Sequence, residues 1–182
     1  MTEFLMGIAA ISGVALTAAW IRRRAQRLLG EKESLISSWR FVESVIVKRN
    51  AILPDLIQAI EEKLPAERER LSELSTWRDD SERQLLEGDI KRLSDTEKAI
   101  LENVREIKRL IESSKELSAD PELSPIANQM AEMEERLRAQ REQYNIAVNR
   151  FNQTLRRFPN GAVASFLRLK EREYLEARRY SR

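Results

Sequence analysis

A chain of 182 residues is long enough for one domain beside a short extra segment, and too short for two ordinary domains to be expected. Five Gly, five Pro and 34% charged residues describe long helices with few turns, so the expected fold class is all-α. With no cysteine and no histidine, disulfides, thiolate chemistry, imidazole bases and the commonest zinc ligands are excluded, while a net charge of +2 conceals basic ends around an acidic middle.

Phe4 to Ile21, FLMGIAAISGVALTAAWI, carries no charge. At about 1.5 Å per residue this run covers roughly 27 Å of a hydrocarbon core near 30 Å thick, and Trp20 with the arginines after it extends to the headgroup layer. A cleaved signal peptide would carry basic residues ahead of the apolar run, whereas here Arg22, Arg23, Arg24 and Arg27 follow it. The expectation is therefore a single-pass anchor over residues 1–30, with its N-terminus outside and residues 31–182 in the cytoplasm. Ala9, Gly13 and Thr17 lie four apart, but small residues are common in membrane spans and this is no GxxxG.

From Glu31 the pattern becomes that of a charged amphipathic helix. Leu35, Trp39, Val42, Ile46, Arg49, Leu53, Leu56 and Ile60 follow at steps of three and four, a coiled-coil-like seam interrupted by one charge, Arg49. Pro54 predicts a kink near residues 50–53, Pro65 a further bend, and the helix is expected to continue to about Trp77. Asp79, Asp80 and Ser81 read as a turn and cap. A second helix is expected through Leu86, Ile90, Leu93, Ile100, Val104, Ile107 and Ile111, with Gly88 as its weak point and Glu97 out of character on its seam. Ser113 to Pro125 is the second connection. A third helix is expected from about Ser124 to Phe158, supported by exposed pairs such as Glu132 with Arg136 and Glu134 with Arg138, and stopped by Pro159 and Gly161. Its apolar face contains Tyr144, Val148, Phe151 and Phe158, flanked by Asn145 and Asn152 seven apart. Val163 to Tyr180 reads as a short amphipathic helix with Phe166, Leu167, Leu169 and Tyr174 as contacts.

Arg141, Tyr144, Asn145, Val148, Phe151, Asn152, Phe158 and Pro159 together resemble the C-terminal core motif of the LemA family. The segment Val47 to Leu56 is similar to that family's other signature, with Lys48, Ala51 and Asp55 as departures from it; Pro121–Met130 departs further. The resemblance covers residues 35–177. It implies a membrane-anchored antiparallel bundle of three long helices with a short fourth at the C-terminus, a LemA-like four-helix bundle over residues 31–182, in the bacterial inner membrane.

The residues give little chemistry. Without histidine or cysteine no nucleophilic triad can be assembled, and no glycine-rich loop opens a helix. Carboxylates fall on outward helix faces, with Glu97 the exception, so no catalytic residue, no cofactor and no metal is expected. The basic C-terminal region is interrupted by Glu171, Glu173 and Glu176, which favours solvent, lipid headgroups or an acidic partner over nucleic acid. Two functions stay open: a non-enzymatic membrane scaffold, or an accessory subunit of a membrane enzyme such as a protease. Expected partners are membrane lipids through the anchor, an unidentified protein, and a second copy of the chain. Arg49 is expected to meet Asn145 and Asn152 between helices with help from Asp55; the competing reading has its stem carry the charge out to water.

Overall fold

The computed structural model describes residues 2–157 and 160–175, and for residues 2–11 and Val14 the helical backbone alone. The described residues form six helices and no strand: α1 Thr2–Lys63, α2 Arg68–Glu87, α3 Ile90–Ser113, the single turn α4 Lys115–Ser118, α5 Leu123–Arg156 and α6 Asn160–Phe166. Residues 169–175 follow without helix. Contacts divide the chain into two compact units, one of residues 1–37 with 146–172 and the other of residues 38–145 with 173–182. Leu28 and Leu35 are both buried in the first of them.

The expected membrane span, Phe4–Ile21, lies within α1. Among the described residues no helix is long and apolar enough to cross a membrane. Much of the span, residues 4–11 and Val14, lies outside the residues whose side chains are described, so the anchor has no support from the structure.

The second unit departs from three long helices. Leu64 precedes a proline, which disfavours helical backbone, and it takes φ −130 and ψ 70. One 3-10 turn, Pro65–Glu67, then starts α2. No turn forms at Asp79–Ser81, which lie inside α2. The reversal comes at Gly88, expected to be only a weak point, whose φ of 69 lets it close a Schellman cap. Its N–H donates to the Leu85 carbonyl at 3.2 Å and the Asp89 N–H donates to the Gln84 carbonyl at 3.1 Å. Asp89 then caps α3, accepting from the Arg92 N–H at 3.0 Å. Four helical segments rather than three therefore build this unit: the later part of α1, then α2, α3 and the earlier part of α5. Pro54 sits inside α1 without ending it.

Those four segments share one apolar core. Leu53, Leu56 and Ile60 of α1 meet Leu71 and Leu74 of α2, Ile100, Val104 and Ile107 of α3, and Leu123 and Met130 of α5. Leu86, expected in that seam, is 91% exposed, because it belongs to α2 and lies opposite the buried row of Leu74, Ser81 and Gln84. Among the described residues of the first unit the buried apolar ones are Leu28 and Leu35 of α1, Ala147, Val148, Phe151 and Leu155 of α5, and Ala164 of α6.

The C-terminal helix is shorter than expected. Arg168 takes φ 52, a left-handed conformation unusual for a residue with a side chain, and caps α6 with bonds from its own N–H to Ser165 and from the Leu169 N–H to Ala164. The chain leaves helix there. Phe166 is consequently 87% exposed, and the buried contact is Leu175.

A methyl group added at Gly88 would meet nothing within 4 Å, so only its positive φ opposes substitution. Gly88→Ala is expected to lower stability by about 1 kcal/mol, read from thermal unfolding of the helical circular dichroism signal. An unchanged midpoint would mean that the cap does not hold the α2–α3 turn.

Candidate functional site

Arg49 lies on the apolar seam of α1 and is fully buried. Its guanidinium makes a forked pair with Glu97 of α3, Nη1 to Oε2 at 2.6 Å and Nη2 to Oε1 at 2.8 Å. Nη2 also donates to Asn50 Oδ1 at 2.7 Å. Ser81 of α2 donates to Glu97 Oε1 at 2.7 Å and accepts from Asn50 Nδ2 at 3.4 Å. Glu134 of α5 stands 3.6 Å from Arg49 Nη1, too far for a hydrogen bond but close enough for attraction. One polar layer thus draws on all four segments of the second unit.

The electrostatics follow from burial. Desolvation by itself pushes the Arg49 pKa down, and the adjacent Glu97 carboxylate more than offsets it, so the cation is kept. Burial also pushes the Glu134 carboxyl up, against the pull of Arg49 and Arg141. Arg49 Nε and Glu134 Oε1 are buried with no hydrogen-bond partner among the described residues. The layer ties α1 to α2 and α3 by hydrogen bonds and to α5 by charge, a geometry that locks the helices together.

Arg49 and the two asparagines have separate partners, and Asp55 is exposed. The snorkelling alternative also fails, since no part of Arg49 reaches water. Asn145 instead binds the backbone of Leu175, donating from Nδ2 to the carbonyl and accepting the N–H at Oδ1, each at 2.9 Å. In the first unit Asn152 does the same to Arg172, again with both bonds at 2.9 Å. The Tyr144 hydroxyl donates to the Glu173 carbonyl at 3.0 Å, and its ring lies 5.3 Å from that of Trp39. Val148 and Phe151 are buried, as a core motif requires. Phe158 and Pro159 lie outside the described residues.

Sequence reasoning misses Asn50, reads Ser81 as a cap and Arg141 only as part of the motif, and puts Glu134 on an exposed face with Arg138, whereas Glu134 is largely buried and Arg138 pairs with Glu135. A signal for Glu134 existed: Met130, Glu134, Leu137, Arg141 and Tyr144 continue the four-three step of α5, which puts two charges on its buried seam.

Residues 38–182 match the LemA family. The chain belongs to the LemA family. Comparison with curated proteins gives no match. The family match takes in Arg49, Glu97 and Glu134 together with Asn145 and Asn152, so both arrangements lie within the LemA region of the chain.

Two outcomes are expected of this LemA bundle. Glu97→Leu strands a buried guanidinium and should cost about 3–5 kcal/mol, while adding Arg49→Met should recover most of that loss. A double-mutant cycle on thermal unfolding measures the coupling, and strict additivity would show that the pair does not act as one. Glu134 titrates above its unfolded value, so its contribution is fully present at low pH and is lost as pH rises through the folded pKa. Relative to the wild type, Glu134→Gln should therefore gain stability as pH rises from the usual glutamate range towards neutrality. Melting curves of the two proteins that stay parallel across that range would contradict the burial-driven shift.

Proposed function

We propose that the chain is a non-enzymatic, single-pass protein of the bacterial cytoplasmic membrane whose helical units serve as a scaffold for protein partners in the cytoplasm. The observation that carries this reading is the set of exposed apolar side chains along α1. Leu29 and Ile36 in the first unit, and Phe41 and Val47 in the second, stand out in solvent while the opposite seam of the same helix is closed. A helix whose inner face is already packed has no internal use for them.

The membrane part of the proposal is supported by the uncharged run Phe4–Ile21 and the four arginines after it. Arg24 lies over the Trp20 ring at 5.5 Å, an aromatic–cationic pair suited to a headgroup layer. A second reading, an accessory subunit of a membrane enzyme such as a protease, is favoured by the same exposed residues because they continue directly from the proposed anchor.

Since the chain has no cysteine, Thr2→Cys and Ser181→Cys can be probed one at a time with an impermeant thiol reagent. Thr2→Cys should label from outside intact spheroplasts and Ser181→Cys only after lysis. Labelling of Ser181→Cys in intact spheroplasts would refute the orientation, and recovery of the protein without membranes would refute the anchor. Photo-crosslinkers at Phe41 and Val47 then separate the readings: one dominant membrane-enzyme adduct supports the accessory role, and soluble-protein adducts support the scaffold.

A further inference from the structure

We propose that the groove between α3 and α5 in the second unit is a binding site for a phosphoryl dianion, such as the terminal group of a phosphate monoester. The groove has a volume of about 320 Å³ and takes Arg105 and Lys108 from α3 with Glu134, Glu135, Arg138 and Arg141 from α5. Four cations against two carboxylates leave its walls two charges positive.

Arg141 carries the argument. It is only 7% exposed, yet among the described residues no hydrogen bond or ion pair holds its guanidinium. Its nitrogens are not closed off from solvent, so its donors open onto the groove, where an oxyanion can meet them. The carboxylates near it are already engaged or disfavoured as anions: Glu97 is forked to Arg49, and burial holds Glu134 towards its neutral form. Burial pushes the Arg141 pKa down; Glu134 and Glu97 work against this, while Arg105 and Arg138 add to it by like-charge repulsion. The other carboxylate of the lining, Glu135, is bonded to Arg138 at 3.0 Å. Lys108 lies 3.6 Å from the exposed Glu112.

Guanidinium groups that repel one another across an open groove, with no carboxylate committed to the inner one, are arranged to receive an oxyanion. A tetrahedral dianion fits this better than a carboxylate does. Its charge answers the positive excess of the walls, and its three acceptor oxygens can meet forked donors from both helices at once. The volume admits a phosphoryl group with a small attached moiety. The proposal does not depend on membrane anchoring or on scaffolding, because the second unit contains the whole groove.

The test uses the full chain in neutral-detergent micelles at low ionic strength and about pH 7.5, where a phosphate monoester is largely dianionic. Methyl phosphate is titrated by ³¹P NMR, and mixed micelles containing phosphatidic acid are compared with the same micelles containing phosphatidylcholine. Saturable binding is expected, weakened about tenfold by Arg105→Gln, the loss of one charge-assisted contact, and unchanged by Lys91→Gln on the same helix outside the groove. Arg141→Lys keeps the charge but removes the fork, and should weaken binding without unfolding the helices, as checked by circular dichroism. Tighter, Arg105-dependent binding of phosphatidic acid would support a lipid source, whereas methyl phosphate binding with no preference for phosphatidic acid would support a soluble one. No saturation with either ligand overturns the site, as does equal weakening by Arg105→Gln and Lys91→Gln, which would indicate diffuse attraction alone.

Discussion

The forked pair between Arg49 and Glu97 is the constraint on which the second unit depends. Removing two charges from water costs several kcal/mol per ion, and attraction between them repays that only when the remaining donors and acceptors are also met. Asn50 and Ser81 meet all but the Arg49 Nε donor here, so the pair draws α2 into its geometry, and the attraction to Glu134 extends it to α5. Apolar seams alone tolerate a slip of one heptad, since one branched aliphatic replaces another. Such a slip of α3 would bring Ile90 or Val104 to the level of Arg49 and leave a buried cation unpaired. The charge layer therefore selects one register among several that hydrophobic burial would accept.

The contacts of α1 with α5 and with the turn that leads into it make that register visible. Lys63 meets Asp120 at 2.7 Å, Arg49 faces Glu134 at 3.6 Å, and the Trp39 ring lies 5.3 Å from that of Tyr144. From Lys63 back to Arg49 is fourteen residues, and so is the step forward from Asp120 to Glu134. From Arg49 to Trp39 is ten, matched by Glu134 to Tyr144. Equal and opposite steps are what two antiparallel helices of the same rise must show. Asp120 serves twice, because its other carboxylate oxygen accepts the N–H groups of Glu122 and Leu123 at the start of α5. Its pKa is lowered by the bond from Lys63 first and by the backbone donors after it, so the α5 start and the α1 end are tied through one side chain.

The helical class, the apolar seams and the extent of α5 were legible because each is written in local periodicity repeated over many turns. The turns were harder to read. Asp79, Asp80 and Ser81 have the composition of a cap, but Ser81 is spaced to face inward, seven after Leu74, and tertiary demand for its hydroxyl overrode local preference. Gly88 was read as a defect in a helix when its freedom at positive φ was needed to end one. In an antiparallel bundle of three long helices the first and third run parallel, whereas the break at Leu64 leaves α1 and α5 antiparallel, which gives Arg49 partners other than Asn145 and Asn152. Its partner Glu97 is out of character on its own seam, but nothing local to α3 says what it meets. A lone charge on a seam is ambiguous, whereas opposite charges on several seams of one bundle point to each other.

The asparagines show why residue type carries information that periodicity does not. A peptide unit in extended chain presents one N–H and one C=O, and only a side-chain amide offers the complementary acceptor and donor at once. Aspartate at position 145 would accept the Leu175 N–H and leave its carbonyl facing a like-charged oxygen, while glutamine would add a methylene and a further torsion to fix. Asparagine on a rigid helix therefore acts as a short piece of backbone, standing in for the neighbouring strand that residues 169–175 lack. The device occurs once in each unit, at Asn145 and at Asn152, and buried Leu175 adds an apolar anchor to the first. A chain segment rich in exposed charge, which could not bury enough apolar surface to order itself, is thereby held in one conformation through its backbone.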